Sequence, residues 1–119
     1  MHKYKDLKIG TKSVELAKEV YLLTEKFPKH QQYSLTQQMQ RSAVSISSNI
    51  AEGAGRNSQK EFLQFLSIAQ GSCYELESQL TIALELKSVD EHNASEIFVL
   101  IEEVQKMNYA LQGSIKSKI

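Results

Sequence analysis

The stretch Gln37–Arg56, QQMQRSAVSISSNIAEGAGR, carries only three charges: Arg41, Glu52 and Arg56. Set at about 100° per residue, Glu52 and Arg56 are i, i+4 partners, and Arg41 lies about three turns earlier on the same side. Gln38, Ser45, Ser48 and Asn49 complete a polar stripe that is small and mostly uncharged. Two chemistries suit it. A network of Arg41, Asn49, Glu52 and Arg56 would fix the register between helices or subunits, as a specificity device rather than a source of net stability. Alternatively, Arg41 or Arg56 would bind a phosphate or a partner's carboxylate. These are the only arginines in the chain, and a planar guanidinium fork suits a partly buried contact of either kind.

Catalytic chemistry has little support. His2, His30 and His92 fall near the N-terminus or in expected connectors, so none is expected to join a set of metal ligands on an inward helix face. A di-iron bundle site needs inward Glu-x-x-His strings, and the chain has none. GAGR lacks the lysine and the preceding strand of a phosphate-binding loop. Cys73 falls on a core seam, where it reads as an apolar filler. Glu75 and Glu77 do not share a helix face, so they make no carboxylate pair. The expectation is a non-enzyme with no cofactor and no metal.

These residues need helices to position them. The first helix begins between Asp6 and Thr11 and runs to about Lys26, burying Ile9, Leu16, Val20, Leu23 and Phe27, with Pro28 ending it. Ser34 with Gln37 has the pattern of a capping box for the second helix, which runs to about Ala54. Leu35, Met39, Ala43, Ile46, Ile50 and Ala54 share one arc of it, with Val44 and Ala51 extending the arc. Gly53 and Gly55 offer the positive φ that helix ends often need. Ser58 with Glu61 is a second capping box. Phe62, Leu66, Ala69, Cys73, Leu76, Leu80 and Ala83 then alternate at four and three, the seam of a helix packed at a shallow angle. Either Ser88 with Glu91 or Asn93 with Glu96 caps the last helix. Its core face is Ile97, Leu100, Ile101, Val104, Met107, Leu111 and Ile115. Short connectors make neighbours antiparallel, so the expected fold is all-α, an up-down-up-down four-helix bundle forming one domain over residues 1–119.

The strings LTQQMQRSAVSISSNIAEGAGRNSQKEF and FLSIAQGSCYELESQL resemble the bacterial four-helix-bundle family of ribosomal-RNA intervening-sequence proteins. That family includes the accessory subunit of diversity-generating retroelements. The match is close from about Tyr33 to Leu84 and looser in the outer helices. The family usually has Arg where this chain has Gln70, which puts any anion contact at that position in doubt. The resemblance implies a homopentameric ring or barrel, and a partner such as RNA, DNA or a reverse-transcriptase-like protein. Most members have no established activity, and the word ribosomal in the family name is not evidence of a ribosomal subunit.

Composition sets the remaining bounds. The formal charge of 119 residues is zero, which argues against a protein coated all over by nucleic acid. The opening MHKYKDLK lacks an apolar signal segment. The longest charge-free run, Phe62–Tyr74, is too short and polar to span a bilayer. A lone cysteine suits a reducing, cytoplasmic setting. Charge placement is more telling. One end of the bundle gathers Lys3, Lys5, Lys8, Arg56, Lys60, Lys116 and Lys118 against Asp6, Glu52 and Glu61. In a cyclic assembly such basic ends converge on one face, strong enough to hold phosphates. The opposite end is acidic. Ile68, Ile82, Leu86, Phe98 and Tyr109 exceed what one core takes and are candidates for an oligomer interface. The expected function is a non-enzymatic oligomeric scaffold or adaptor that holds structured RNA or DNA by its basic end. The competing expectation is a protein–protein interaction module with no nucleic-acid role. A small-molecule or metal site inside the bundle ranks last.

Overall fold

The computed structural model describes residue 4 and residues 7–119, the side chain of Tyr33 excepted. Four helices account for most of it: α1 Lys8–Thr24, α2 Gln37–Ala54, α3 Gln59–Glu85 and α4 Glu91–Lys116. A short 3₁₀ turn, Lys29–Gln31, and a π-helical turn, Gln32–Thr36, lead into α2. Each helix packs on two others, α1 and α3 both lying between α2 and α4. The body measures 46 × 22 × 20 Å, and the 27 residues of α3 alone extend about 40 Å at 1.5 Å per residue.

Contacts between helices show that neighbours run antiparallel, because one partner's number falls as the other's rises. Ser45 of α2 meets Ser72 of α3, and two turns further along α2, Gly53 lies against Phe62 and Phe65. Asn108 of α4 bonds to the Leu66 carbonyl of α3, and Gln70 bonds to that of Gln105. Lys12 of α1 reaches Glu103 of α4 at 2.9 Å. Hydrogen bonding to Glu103, and next to Glu15, holds the Lys12 ammonium above the usual lysine range. The bundle is therefore up-down-up-down.

The apolar periodicity places the core. All seven seam residues of α3 are buried, from Phe62 to Ala83, as are Leu35, Met39, Ala43, Ile46, Ile50 and Ala54 around α2. Val44 does not extend that arc and is 42% exposed. On α4, Ile97, Ile101, Val104 and Ile115 are buried, while Leu100, Met107 and Leu111 are half-buried against the core. Asn108, outside the expected face, is fully buried. Its amide donates to the Leu66 carbonyl at 2.9 Å and its oxygen accepts from Gln112 at 2.6 Å. Both polar ends are thereby satisfied inside the core.

Helix ends depart from expectation at three places. No Ser34–Gln37 box forms, because the chain is already helical through the π turn and the Ser34 hydroxyl donates back to the Gln31 carbonyl. Neither Gly53 nor Gly55 adopts a positive φ. Gly53 is instead a buried helical residue at the close approach of α2 to α3. The left-handed residue is Lys87, at φ 61. There the Ser88 N–H bonds to the Ala83 carbonyl and the Lys87 N–H to that of Leu84, the paired bonds of a Schellman ending. Asp90 caps α4, accepting from the Asn93 N–H at 2.7 Å while the Asn93 side chain returns a bond at 3.0 Å. Ser58 does cap α3, accepting from the Glu61 N–H.

Candidate nucleic-acid interface

The antiparallel order brings the start of α1, the α2–α3 turn and the end of α4 to one end of the bundle. Lys8 opens α1, Lys60 sits in the first turn of α3, Lys116 closes α4 and Lys118 follows it. All four are exposed. Lys3 and Lys5 lie outside the described residues. Arg56, just beyond α2, behaves differently from the lysines. Its guanidinium donates to Glu52 at 2.7 Å, lies 3.5 Å from Glu61, and sits 5.1 Å above the Phe65 ring. Both acidic side chains described at this end are thus engaged by one arginine. Among the described residues, none of the four lysines has an ion-pair partner. The lysine charge is left uncompensated locally, which is what a phosphate-facing surface requires.

The polar face of α2 divides into two parts. Asn49 donates to the Ser45 carbonyl at 2.8 Å and to its hydroxyl at 3.1 Å, and that hydroxyl bonds to Ser72 of α3 at 2.9 Å. This chain of bonds ties α2 to α3 within one subunit. Arg41 is not bonded into that chain but shares a groove with it. It is exposed, makes no ion pair among the described residues, and lines a polar groove of about 310 Å³ with Gln38, Ser45, Ser72, Glu75 and Gln79. The buried amide oxygen of Gln79 has no hydrogen-bond partner.

Apolar residues outside the core also separate. Ile68, Ile82 and Leu86 are about half exposed on α3 and fall within about 40° of one another at 100° per residue. Phe98 is half-buried and packs on the core of its own bundle. Tyr109 is 79% exposed and lines a groove between α3 and α4 together with Tyr74 and Gln70. Sequence reasoning missed Tyr74 there. Its one available signal was an aromatic residue on the far side of the α3 seam. Cys73 is buried, and burial first, then the Glu77 charge, pushes its thiol up to about 12. Such a thiol is a packing group and not a nucleophile. No group of three or more potential metal ligands forms among the described residues, and no helix among them is long and apolar enough to cross a membrane.

Comparison with known proteins supports this architecture. The family model for the 23S rRNA-intervening sequence protein matches residues 5–110. The fold superimposes, with a TM-score of 0.82, on the crystal structure of a protein of unknown function from the S23 ribosomal protein family of Bacteroides thetaiotaomicron. Identity is 24%, covering 87% of this chain and 97% of that one, so the likeness is one of fold. No curated protein matches the chain.

Proposed function

This chain belongs to the 23S rRNA-intervening sequence protein family, and from that premise we propose that it is a non-enzymatic, homo-oligomeric scaffold that holds structured RNA or DNA by the basic end of its bundle. The observation that carries this reading is the set of four exposed lysines, Lys8, Lys60, Lys116 and Lys118, without ion-pair partners among the described residues, at an end whose described acids are engaged by Arg56. The row Ile68, Ile82 and Leu86 supplies the subunit interface, and a ring of five, as the family resemblance implies, gathers the lysine clusters on one face. Kinship with the accessory subunit of diversity-generating retroelements, and with it a reverse-transcriptase-like partner, belongs to this proposal. Contacts are to the phosphate backbone, which carries no sequence information, so sequence-specific readout is not part of the proposal.

A labelled, structured RNA titrated at several salt concentrations, with the oligomer mass recorded in the same buffer, tests the reading. Binding falls steeply with salt, and each of Lys8→Gln, Lys60→Gln and Lys116→Gln lowers the salt slope by about one. A stable oligomer indifferent to RNA at low salt refutes it.

The second reading is a protein–protein adaptor, and the α1–α4 face favours it. Leu22 and Val99 are each about half exposed and lie beside Glu15, Glu19 and Glu96 along the grooves of that face. An acid-rimmed apolar strip suits a basic amphipathic segment, with affinity that survives salt better than a phosphate contact does.

A further inference from the structure

The groove between α3 and α4 encloses about 570 Å³ and shares Lys116 alone with the four lysines of the basic end. Tyr74 and Tyr109 line it, 58% and 79% exposed. Gly71 and Gly113 also line it, and a Cβ built on either meets nothing within 4 Å. No aliphatic side chain is among its lining residues. That composition is wrong for the apolar face of a partner helix, which seeks aliphatic pockets. It is right for a flat ligand with π faces and polar edges.

The amides point the same way. Gln70 donates to the Gln105 carbonyl at 3.5 Å, and its own amide oxygen is buried without a partner. Gln112 donates to buried Asn108 at 2.6 Å. That bond fixes the Gln112 side chain and leaves its oxygen to accept. An acceptor oxygen on Gln112, in a groove lined by two aromatic residues, suits a nucleobase carrying an exocyclic amine or a ring N–H. The antiparallel order of α3 and α4 then sets direction. From Tyr109 the groove runs about 10 Å along the α4 axis to Lys116, a member of the basic end.

We propose that this groove is a stacking site for an unpaired base of single-stranded nucleic acid, with Tyr74 and Tyr109 supplying the aromatic faces, Gln112 meeting the base edge, and Lys116 holding the adjoining phosphate. The assignment deepens the nucleic-acid reading and rests on it. A duplex, whose bases are already stacked, gains nothing from the groove and uses the lysines alone.

The test is a fluorescence-anisotropy titration of oligo(A) of about twelve nucleotides, within the span that single-strand binders cover. A duplex RNA of equal length is titrated in parallel. Tyr74→Ala and Tyr109→Ala each weaken single-strand binding about tenfold, the size of one stacked base. They leave duplex binding and the salt slope unchanged, and Tyr109→Phe keeps the affinity. Gly113→Leu fills the groove with a better helix former, so it weakens single-strand binding while raising the unfolding midpoint. Tyrosine variants that bind oligo(A) like the wild type, while Lys8→Gln and Lys60→Gln weaken both nucleic acids, overturn the groove and leave the basic end standing. The reverse pattern, lysine variants unimpaired and tyrosine variants deficient, overturns the basic end and supports the groove. A protein that binds neither probe at low salt overturns both.

Discussion

Replacing Gly53 by alanine should destabilise this bundle, although alanine is the better helix former. Gly53 is a buried residue in the last turn of α2. A Cβ placed there would lie 2.8 Å from the Phe65 Cβ and 2.9 Å from the Phe62 Cδ1. The Phe65 Cβ is fixed to its backbone and cannot swing aside, so relief requires α3 to move away from α2. Such a shift disturbs Phe62, which is 1% exposed and among the largest fully buried side chains. Alanine's helix preference returns about 1 kcal/mol, whereas overpacking a filled contact costs about 1–3 kcal/mol. With a close contact to an atom that cannot rotate away, we expect a net loss of about 1–2 kcal/mol. At roughly 4 °C per kcal/mol for a domain of this size, Tm falls by about 4–8 °C. Gly71→Ala is the internal control. It has the same chemistry on open surface, with nothing within 4 Å of the new methyl, and should raise Tm by about 3–4 °C. Helical circular dichroism during heating, at one fixed protein concentration, measures both. Equal shifts for the two variants would refute the claim that α2 and α3 meet at Gly53.

Three further outcomes follow from the geometry. Lys87→Gly relieves an L-residue held at φ 61 and should stabilise by about 1 kcal/mol, read as a higher urea midpoint at unchanged m-value. Asn108→Ala leaves a void in the core, removes the bond to Leu66 and frees Gln112. A cost of about 2 kcal/mol is expected by the same measurement. For Cys73, the folded-state pKa of about 12 exceeds the ordinary 9.0, so the folded protein keeps a proton that the unfolded chain releases. The contribution is complete below pH 9 and is lost as pH rises from 9 to about 12, at about 1.4 kcal/mol per pH unit. Comparing urea midpoints of wild type and Cys73→Ala across that window isolates it, and equal pH slopes for the two proteins would contradict it.

Much of this architecture is legible in the chain. Burial on a single helix depends on a period of 3.6 residues, and that period runs unbroken through Phe62, Leu66, Ala69, Cys73, Leu76, Leu80 and Ala83. Short connectors then force antiparallel neighbours, so the helix order fixes which lysines share an end. Local caps are legible only where side chain and spacing are unambiguous. Ser58 was clear. Asp90 was overlooked for Ser88 and Asn93, all three lying within six residues and all able to accept from a backbone N–H. Lys87 gave no signal, because the turn geometry that follows α3 imposes the left-handed conformation on a residue with no preference for it.

What no single-helix pattern contains is the register between helices. Asn108 finds its partner, the Leu66 carbonyl, only through the packing of α4 on α3. Gly53 looked like a terminator until α3 came within contact of it. Tyr74 and Tyr109 are 35 residues apart in the chain and became one groove only when α3 and α4 aligned. Periodicity determines which side of a helix is buried. Which residues then face one another is decided by how two ridged surfaces interlock along their lengths, and that is a property of the pair.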